Sequence, residues 1–293
     1  MEPKKTAMMS KSIDLGWNKS PLNQGRIDVG TENIKVKLIG YPADEKMMKQ
    51  VFAKMALAVT GNDVDKVLPE ELAEELMKGG LNQGLESFSF NFEISGLSRQ
   101  VTHELVRTRK ATFSQQSMRH TDMGDQFNTR MPQSIKDSKN MVMWNGMMVR
   151  PETVFRELIE KARFAYSALK EADIPYQDCR MVCPIGTETY IIASYPINEF
   201  FATYAYRACR MFLWEIQFIF NRMREEVLKI FPWMEPYVKV TCEKTKRCMY
   251  QGLEDTQNDC EFPWKTDRVY KPNYELIGLK GKAYGQSEQE KSV

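Results

Sequence analysis

Apolar and polar residues alternate along some segments of this chain and recur at helical spacing along others. Residues 88–94, FSFNFEI, alternate strictly and predict a half-buried strand. Residues 34–39 alternate over most of their length and residues 185–194 are largely apolar, so both predict further strands. Asn198 is expected to cap the last predicted helix and Pro232 to end it. Helical spacing predicts helices over residues 42–60, 69–77, 97–106, 153–169 and 198–231.

Three segments lack this periodicity. Residues 1–32 are polar and predict an irregular N-terminal arm, and residues 121–150 predict a methionine-rich loop or lid. Residues 236–293 are polar with scattered aromatics and predict a C-terminal extension. The periodic part, residues 33–235, is therefore the predicted main domain. A chain of 293 residues can form one large domain or two small ones.

The composition excludes several classes of protein. A formal net charge of +2 gives no overall attraction to nucleic acid or to a membrane surface. No apolar run is long enough for a transmembrane helix, and the N-terminal residues lack the apolar core of a signal peptide. We therefore expect a cytoplasmic protein that binds neither membranes nor nucleic acid. The six cysteines include no CxxC pair, which favours reduced thiols over a metal site.

A segment rich in hydrogen-bond donors follows the predicted helix over residues 97–106. No acidic residue lies between Lys110 and Arg119. Guanidinium, amide and hydroxyl groups in such a set suit phosphate oxygens and the edge of a base. The alternative is a charged helix end followed by a solvated polar loop. The polar groups belong to Arg107, Arg109, Lys110, Ser114, Gln115, Gln116, Ser117 and Arg119.

The same segment resembles the signature of a known family. Arg107, Thr108 and Arg109, followed after seven residues by Ser117, resemble the Arg-His-Arg-x7-Ser signature of the flavin-dependent thymidylate synthases (ThyX). The run SRQVTHELVRTR stands where the family commonly has Ser-Arg-x-x-x-His-Gln-Leu-Val-Arg-His-Arg. The run SQQSMRH stands where the family often has Ser-Gln-Gln-Ser-x-Arg-Tyr.

Two further blocks follow in the order of the family. Residues 179–184, CRMVCP, are similar to its Ala-Arg-x-x-Leu-Pro block and align Arg180 with the family arginine. Arg207 stands seven residues before Trp-Glu-Ile, with six residues between, as an arginine of the family often does, and Arg210 is the rival candidate. On these three blocks the chain is identified as a divergent member of the ThyX superfamily.

The resemblance implies a fold and a reaction. ThyX enzymes have a mixed α/β (α+β) fold, a mixed sheet flanked by helices, which would be the catalytic domain at residues 33–235. They transfer a one-carbon unit from methylenetetrahydrofolate to carbon 5 of dUMP, with FAD as cofactor and NADPH as reductant. They are homotetramers with active sites shared between subunits. We therefore expect nucleotide and folate as small-molecule partners, and a homotetramer.

The resemblance also assigns residues position by position. Arg207 and Ser117 are the catalytic candidates: Arg207 would polarise a carbonyl of the base, and Ser117 would bind phosphate or position the base. Ser117 could be a nucleophile only beside a general base, and the sequence shows none. The substrate-binding candidates are Glu104, Arg107, Gln115, Gln116, Ser117, Met118, Arg119, Arg180 and Arg207. The cofactor-binding candidates are Arg107, Thr108, Arg109 and Ser87.

The chain departs from the family around the flavin. Thr108, Ser87 and Met211 stand where the family has histidines, so the flavin site is predicted to be altered or lost. One hypothesis is an enzyme whose product is either methyl or hydroxymethyl, the latter formed when water intercepts the exocyclic methylene intermediate. The other is a catalytically silent relative that binds nucleotide or nucleic acid as a scaffold.

Glu104 stands where the family usually has glutamine. An ionised carboxylate only accepts hydrogen bonds, so it could pair with Arg107 or Arg207. It could instead accept from the exocyclic amine of a cytosine. We therefore predict dUMP as the substrate, with dCMP as an alternative.

Overall fold

The computed structural model describes residues 25–58, 61, 68–123 and 127–248 of the chain. In chain order the elements are β1 (Ile27–Val29), β2 (Lys35–Gly40), α1 (Glu45–Ala58), α2 (Glu70–Lys78), β3 (Ser89–Ser98), α3 (Arg99–Leu105), β4 (Thr112–Gln115), β5 (Thr129–Met131), α4 (Gln133–Asp137), β6 (Val142–Trp144), β7 (Met147–Val149), α5 (Pro151–Glu171), α6 (Tyr176–Cys179), β8 (Glu188–Pro196), α7 (Ile197–Arg207), α8 (Trp214–Ile230) and α9 (Thr241–Thr245). Short 3₁₀ turns cover Gln83–Ser87, Arg180–Val182 and Pro232–Met234.

Four strands form the central sheet in the order β2–β3–β8–β4, and each neighbouring pair is antiparallel. Beside it, β1 pairs in parallel with β5, and β6 and β7 form a hairpin. Helices pack against the central sheet, and their apolar residues join those of the strands in one core. The mixed α/β (α+β) fold class predicted from the sequence is therefore confirmed.

The strict alternation in β3 places its aromatic side chains in the core. Phe90 and Phe92 are completely buried, and the strand residues between and beyond them are partly exposed on the other face. Tyr195 of β8 and Phe200 of α7 pack against them, and Phe220 of α8 packs against Tyr195 and Phe200. Burying one large apolar side chain stabilises the fold by roughly 1.5–3 kcal/mol. This packing fixes β3 and β8 side by side, and both strands lead to the candidate site.

Two expectations about the last long helix need correction. The predicted helix over residues 198–231 is two helices, α7 and α8, joined by a turn. Helical spacing persists across the turn because both helices face the same core. Asn198 does not cap α7: Pro196 occupies the N-cap, and Asn198 lies inside the helix, where its side chain accepts from the backbone N–H of Glu199. Pro232 follows the end of α8 as expected.

Three predicted irregular segments contain short strands. Residues 121–150 include β5, α4 and the β6–β7 hairpin, so the expectation of a loop throughout is wrong. The donor-rich segment includes β4, and the predicted arm includes β1. Strands of three or four residues are too short for a period to be recognised. Residues 1–24 of the arm and 249–293 of the extension, including Cys260, lie outside the described residues.

A buried arginine ties these short strands to β3. Arg130 of β5 donates to the carbonyl oxygens of Gly30 at 2.6 Å and Gly96 at 3.0 Å, and its guanidinium pairs with Glu188 at 2.7 Å. Burial raises the pKa of Glu188 to about 8, against the opposing effect of Arg130. Gly96 has φ +76° at a bulge in β3, a conformation that favours glycine.

The same network reaches the start of α3. The buried carboxylate of Glu215 accepts from the backbone N–H and the hydroxyl of Ser98, each at 2.6 Å. Ser98 in turn caps α3 by accepting from the backbone N–H of Val101. The first turn of α3 is therefore fixed from inside the protein. Across the described ranges, no helix is both long and apolar enough to cross a bilayer.

Candidate functional site

Helix α3 carries two groups of candidate residues. It follows β3 without a loop, so its orientation is set by the sheet. Arg99 is its first residue and Glu104 lies near its last turn. At 3.6 residues per turn, side chains five positions apart point about 140° apart around the helix axis. The two groups therefore face different sides of α3.

The first group surrounds Arg207 and is called the base cluster: Glu104, Thr108, Tyr195 and Arg207. Arg207, the last residue of α7, pairs through Nη1 with the Glu104 carboxylate at 2.5 Å. Its Nη2 donates to the Glu104 backbone carbonyl at 3.1 Å. Only 7% of Arg207 is exposed, whereas 48% of the Glu104 side chain is. The carboxylate therefore faces solvent, and the guanidinium lies behind it.

Two aromatic rings complete the surroundings of Arg207. Its guanidinium carbon lies 5.3 Å from the ring centroids of both Tyr206 and Phe212. Such contacts favour a cation. Of the two partners left open for Glu104, Arg107 and Arg207, the structure selects Arg207. The base cluster thus presents an acceptor oxygen held by a fixed positive charge.

The second group is called the anion cluster: Arg99, Gln116, Ser117, Arg119 and Arg180. Arg99 donates through Nη2 to the Gln116 carbonyl oxygen at 2.6 Å, which ties α3 to the end of β4. The Ser117 hydroxyl accepts from the backbone N–H of Arg119 at 3.2 Å. No general base contacts Ser117 among the described residues, so nothing there activates it as a nucleophile.

An open cleft of about 350 Å³ lies next to the anion cluster. It is lined by Arg119, His120, Ile174, Pro175, Tyr176 and Gln177. Arg180 reaches the same wall, because its Nε donates to the Gln177 carbonyl oxygen at 3.0 Å. Arg119 and Arg180, distant in sequence, are therefore both connected to the loop around Gln177.

Arg99 differs from every other buried or half-buried arginine in the described ranges. The other five each have a carboxylate oxygen at 2.5–3.3 Å: Arg26, Arg130, Arg163, Arg207 and Arg224. Arg99 has no such partner there, and its Nε is buried without a hydrogen bond. Burial and the charge of Arg180 both lower its pKa. A half-buried positive charge without a counterion is unfavourable, so this cluster is suited to an anion.

The comparison with known families decides the identity. The family model described as "Thymidylate synthase complementing protein" (Thy1) matches residues 37–233. The chain belongs to this family. It is 30% identical to the flavin-dependent thymidylate synthase of Clostridium tetani over 72% of the chain and 89% of the relative. It is 29% identical to the enzyme of that name from Sulfurisphaera tokodaii over 71% and 79%, respectively.

A solved structure supports the fold independently. The UMP/dUMP methylase PolB of Streptomyces cacaoi, bound with 5-Br dUMP, superposes with a TM-score of 0.54. The match covers 72% of this chain and 98% of PolB at 18% identity. At that identity the likeness concerns the fold. The shared fold extends over nearly the whole length of PolB.

Gln115, Gln116 and Met118 are the remaining nucleotide candidates of this Thy1-family chain. Gln115 donates from its side-chain amide to the hydroxyl of Thr102 at 3.1 Å, on α3. The Gln116 side-chain oxygen is buried without a hydrogen-bond partner in the described part of the chain. Met118 is 7% exposed and packs in a small core with Phe127 and Tyr166. A contact between Met118 and a nucleotide would therefore involve its backbone.

The cofactor candidates fall into two sets. Arg107 and Arg109 are exposed, and in the described ranges their side chains have neither a hydrogen bond nor an ion pair. Thr108 is 3% exposed, and its side chain interacts with the Tyr195 hydroxyl in the interior. The Ser87 hydroxyl contacts the sulfur of Met55 at 3.3 Å. Their assignment to a cofactor stays a prediction.

Sequence reasoning missed two residues of the site. Arg99 lies in the resembling run but has no role assigned from the sequence, although among the buried and half-buried arginines of the described ranges it is the one without a carboxylate partner. In the sequence, nothing about Tyr195 indicates a role in the site, because it follows directly after a predicted strand and matches no motif. Its neighbours show its role: burial raises the pKa of its phenol, while the Thr108 hydroxyl and the charge of Arg207 oppose this. Only the fold reveals that Tyr195 reaches the base cluster.

Proposed function

We propose that this chain transfers a one-carbon unit from methylenetetrahydrofolate to carbon 5 of a pyrimidine deoxynucleotide monophosphate, with dUMP as the first candidate substrate. Membership of the Thy1 family supports the reaction class. The single observation that carries the proposal comes from the anion cluster. Arg99 is half-buried there near Arg180, and no carboxylate in the described ranges pairs with it. A 5′-phosphate would supply the missing negative charge.

The phosphate end of the nucleotide is assigned to the anion cluster. Arg119 lines the open cleft, and Arg180 is tied to its wall. Guanidiniums bind phosphate oxygens through charge-assisted hydrogen bonds, which are about twice as strong as neutral ones. Ser117, without an adjacent base, is assigned to positioning through its hydroxyl.

The pyrimidine base of the nucleotide is assigned to the base cluster, and Arg107 is proposed to contact it as well. The exposed Glu104 oxygen accepts from a base N–H, which is N3–H in uracil or the exocyclic amine in cytosine. Arg207 holds that carboxylate and brings a fixed positive charge close to the ring. Such a charge stabilises negative charge on a carbonyl oxygen of the base, where electrons accumulate when carbon 5 and carbon 6 are activated. After carbon 5 has bonded to the folate methylene group it loses its proton, and the folate nitrogen leaves with a proton when the bond to it breaks.

FAD and NADPH are proposed as cofactor and reductant. The exposed guanidiniums of Arg107 and Arg109 fit the diphosphate of FAD, since no protein carboxylate in the described ranges competes for them. Bound FAD would supply the redox chemistry that a methyl product requires. Thr108 stands where the family has a histidine near the flavin, so the hydroxymethyl product stays an alternative. It forms by addition of water, which needs no reductant.

A homotetramer is proposed as the assembly. The flavin-dependent relatives suggest it through the family resemblance, and the structure adds a reason. The anion cluster and the base cluster leave α3 in directions about 140° apart. One nucleotide can contact both kinds of cluster most easily when a neighbouring copy supplies one of them.

The proposal is tested with purified protein, methylenetetrahydrofolate and either dUMP or dCMP, with and without FAD and NADPH. Mass spectrometry of the nucleotide separates a methyl from a hydroxymethyl product. We expect a C5-modified product from dUMP, and a yellow protein with a flavin absorbance band. Binding of dUMP without any product would favour the scaffold alternative. Failure to bind either nucleotide would remove the proposal.

Glu104→Gln provides a matched control for the base. Glutamine keeps an oxygen that can accept from Arg207 and from the base, but it loses the charge. If Glu104 accepts from a cytosine amine, the wild type prefers dCMP and the variant loses that preference. A wild-type preference for dUMP would eliminate the cytosine alternative and leave the C5-transfer proposal intact.

A further inference from the structure

Helix α3 is tied at both ends to the helix pair α7 and α8. Near its last turn, Glu104 pairs with Arg207 of α7 at 2.5 Å. At its start, the N-cap residue Ser98 is bonded to Glu215, which lies in the first turn of α8. The first link belongs to the base cluster. The second lies outside both clusters, although Ser98 directly precedes Arg99 in the chain.

The carboxylate of Glu215 is directed at Ser98 and not at a counterion. Both hydrogen bonds that it accepts within the described ranges come from Ser98, one from the backbone N–H and one from the hydroxyl, each at 2.6 Å. Arg130 Nε lies 3.7 Å away and donates to the Gly96 carbonyl oxygen at 3.0 Å. Arg130 also has a carboxylate partner of its own, Glu188, at 2.7 Å. Neutralising Arg130 therefore does not explain why a carboxylate stands at position 215.

Keeping this carboxylate in the interior is unfavourable by itself. Burial raises the pKa of Glu215, while the two hydrogen bonds from Ser98 and the charge of Arg130 oppose this effect. Charge-assisted hydrogen bonds are about twice as strong as neutral ones, so a carboxylate holds Ser98 more firmly than an amide would. The cost of burial is therefore offset by a firm link between α8 and the start of α3.

This link restrains the backbone from which Arg99 projects. Because the hydroxyl hydrogen of Ser98 is donated to Glu215, the hydroxyl oxygen is available to accept from the Val101 N–H at 3.2 Å. The N–H groups of Arg99 and of the next residue donate to carbonyl oxygens of the segment just before β8, each at 3.0 Å. The first turn of α3 is therefore held from α8 on one side and from the sheet on the other.

The Arg99 side chain is restrained far less than its backbone. Among the described residues its guanidinium makes one hydrogen bond, from Nη2 to the Gln116 carbonyl oxygen at 2.6 Å, and its buried Nε has none. The direction of the guanidinium therefore depends on the orientation of the first turn of α3.

We propose that Glu215 is a positioning residue of the anion cluster: it holds Ser98, and through Ser98 the first turn of α3, so that the Arg99 guanidinium faces an incoming phosphate group. The identity of this anion as a nucleotide phosphate rests on the proposed function. Glu215 acts through Arg99 and has no contact with the substrate. The Trp-Glu-Ile block, residues 214–216, thereby gains a role in the site through its central residue.

The sign of one mutational effect separates positioning from simple electrostatics. Glu215→Gln removes a negative charge close to an anion site, so Coulomb interactions alone would strengthen phosphate binding. Loss of positioning predicts the opposite, because an amide nitrogen replaces one of the two oxygens that accept from Ser98. We expect inorganic phosphate to bind about fivefold more weakly to the variant. Its affinity is measured from the rise in melting temperature during a phosphate titration at constant ionic strength.

Asp28→Asn is the matched control for that titration. Asp28 of β1 is 4% exposed, compared with 2% for Glu215, and its carboxylate likewise becomes an amide. It accepts from Asn33 at 3.1 Å and pairs with Arg26 at 3.3 Å, and neither partner belongs to α3. We expect a lower melting temperature without a change in phosphate affinity. Equal weakening of phosphate binding in both variants would attribute the effect to lost stability and would overturn the proposal.

The double variant Arg99→Gln/Glu215→Gln tests whether the effect passes through Arg99. Without the guanidinium there is no group to position, so Glu215→Gln should not weaken phosphate binding any further in the Arg99→Gln background. Additive losses of affinity would contradict the proposal.

Ser98→Ala provides the same test if Glu215→Gln does not fold. Alanine removes the hydroxyl and keeps the backbone N–H that donates to Glu215. We expect weaker phosphate binding in this variant as well, and unchanged affinity would overturn the proposal.

Phosphate binding and catalysis give separate outcomes. A wild type that binds phosphate, with the expected loss in Glu215→Gln, but yields no C5-modified nucleotide contradicts the proposed function and leaves the role of Glu215 in place. Product formation together with unchanged or stronger phosphate binding in Glu215→Gln contradicts the role of Glu215 alone. A wild type that phosphate does not stabilise contradicts the anion cluster and the role of Glu215 together.

Discussion

At the scale of single residues, the feature that matters most is the missing counterion of Arg99. Five other buried or half-buried arginines in the described ranges have a carboxylate at 2.5–3.3 Å, so the fold does provide counterions where charge is merely structural. At Arg99 it provides a carbonyl oxygen and a second arginine instead. Retaining such a charge makes physical sense when an anion from solution completes the site.

Arg99→Gln tests this interpretation with inorganic phosphate as the probe. Phosphate should raise the melting temperature of the wild type above that in chloride at equal ionic strength, because it binds the folded state. We expect Arg99→Gln to weaken phosphate binding tenfold or more, since about 1.5–3 kcal/mol is lost with a hydrogen bond to a charged group.

Arg224→Gln is the control for that measurement. Arg224 is half-buried but is paired with Glu235 at 3.2 Å and bonded to the Val238 carbonyl oxygen. Its replacement should lower stability and leave the phosphate effect intact. An equal phosphate effect in Arg99→Gln and the wild type would show that Arg99 takes no part in anion binding.

At the scale of elements, the bulge in β3 connects the sheet to the site. The register of β3 against β8 shifts between Ser95 and Leu97, around Gly96. The carbonyl oxygen of Gly96 accepts from Arg130, whose partners Glu188 and Glu215 lead on to the cap of α3. The bulge therefore determines where α3 begins, and with it the directions of Arg99 and Glu104.

Gly96→Ala should disrupt this junction. A Cβ there would lie 2.5 Å from the Asn33 carbonyl oxygen, in a backbone conformation with φ +76°. We expect a loss of about 3 kcal/mol or more in the free energy of unfolding, measured by denaturant titration, because a backbone clash adds to the left-handed strain.

Gly146→Ala separates the clash from the backbone conformation. Gly146 lies in the β6–β7 turn with φ +79°, and nothing lies within 4 Å of its added Cβ. Its substitution should cost only about 1–2 kcal/mol of left-handed strain. Similar losses for the two alanine variants would mean that the contact with Asn33 relaxes easily and that the bulge is not critical.

At the scale of the whole molecule, the two clusters lie on different sides of α3. The anion cluster faces the cleft bounded by the loop around Gln177, whereas the base cluster adjoins α7. A mononucleotide that needs both is most easily held where two copies of the chain meet. The proposed homotetramer follows from this arrangement together with the family.

Mixing inactive variants tests a shared site. If anion and base clusters come from different copies, refolded mixtures of Arg119→Ala and Arg207→Ala chains should regain part of the C5-transfer activity, because some sites receive one intact cluster from each. Mixtures of Arg119→Ala and Arg180→Ala, both changed in the anion cluster, should remain inactive. Absence of recovery in the first mixture would indicate that each chain holds its nucleotide alone.

The sequence by itself determined the family and those elements that are long enough to show a period. Both are possible because strand alternation and the arginine runs are local patterns. It predicted β3 and α5 and the candidate arginines, yet not the short strands β1, β4 and β5, which contain too few residues for a period. It left the partner of Glu104 open between two arginines. Only the tertiary structure decided this in favour of Arg207, left Arg99 without a counterion and brought Tyr195 to Thr108. These are contacts between residues up to about a hundred positions apart, and their geometry depends on how β8 and α7 pack against α3.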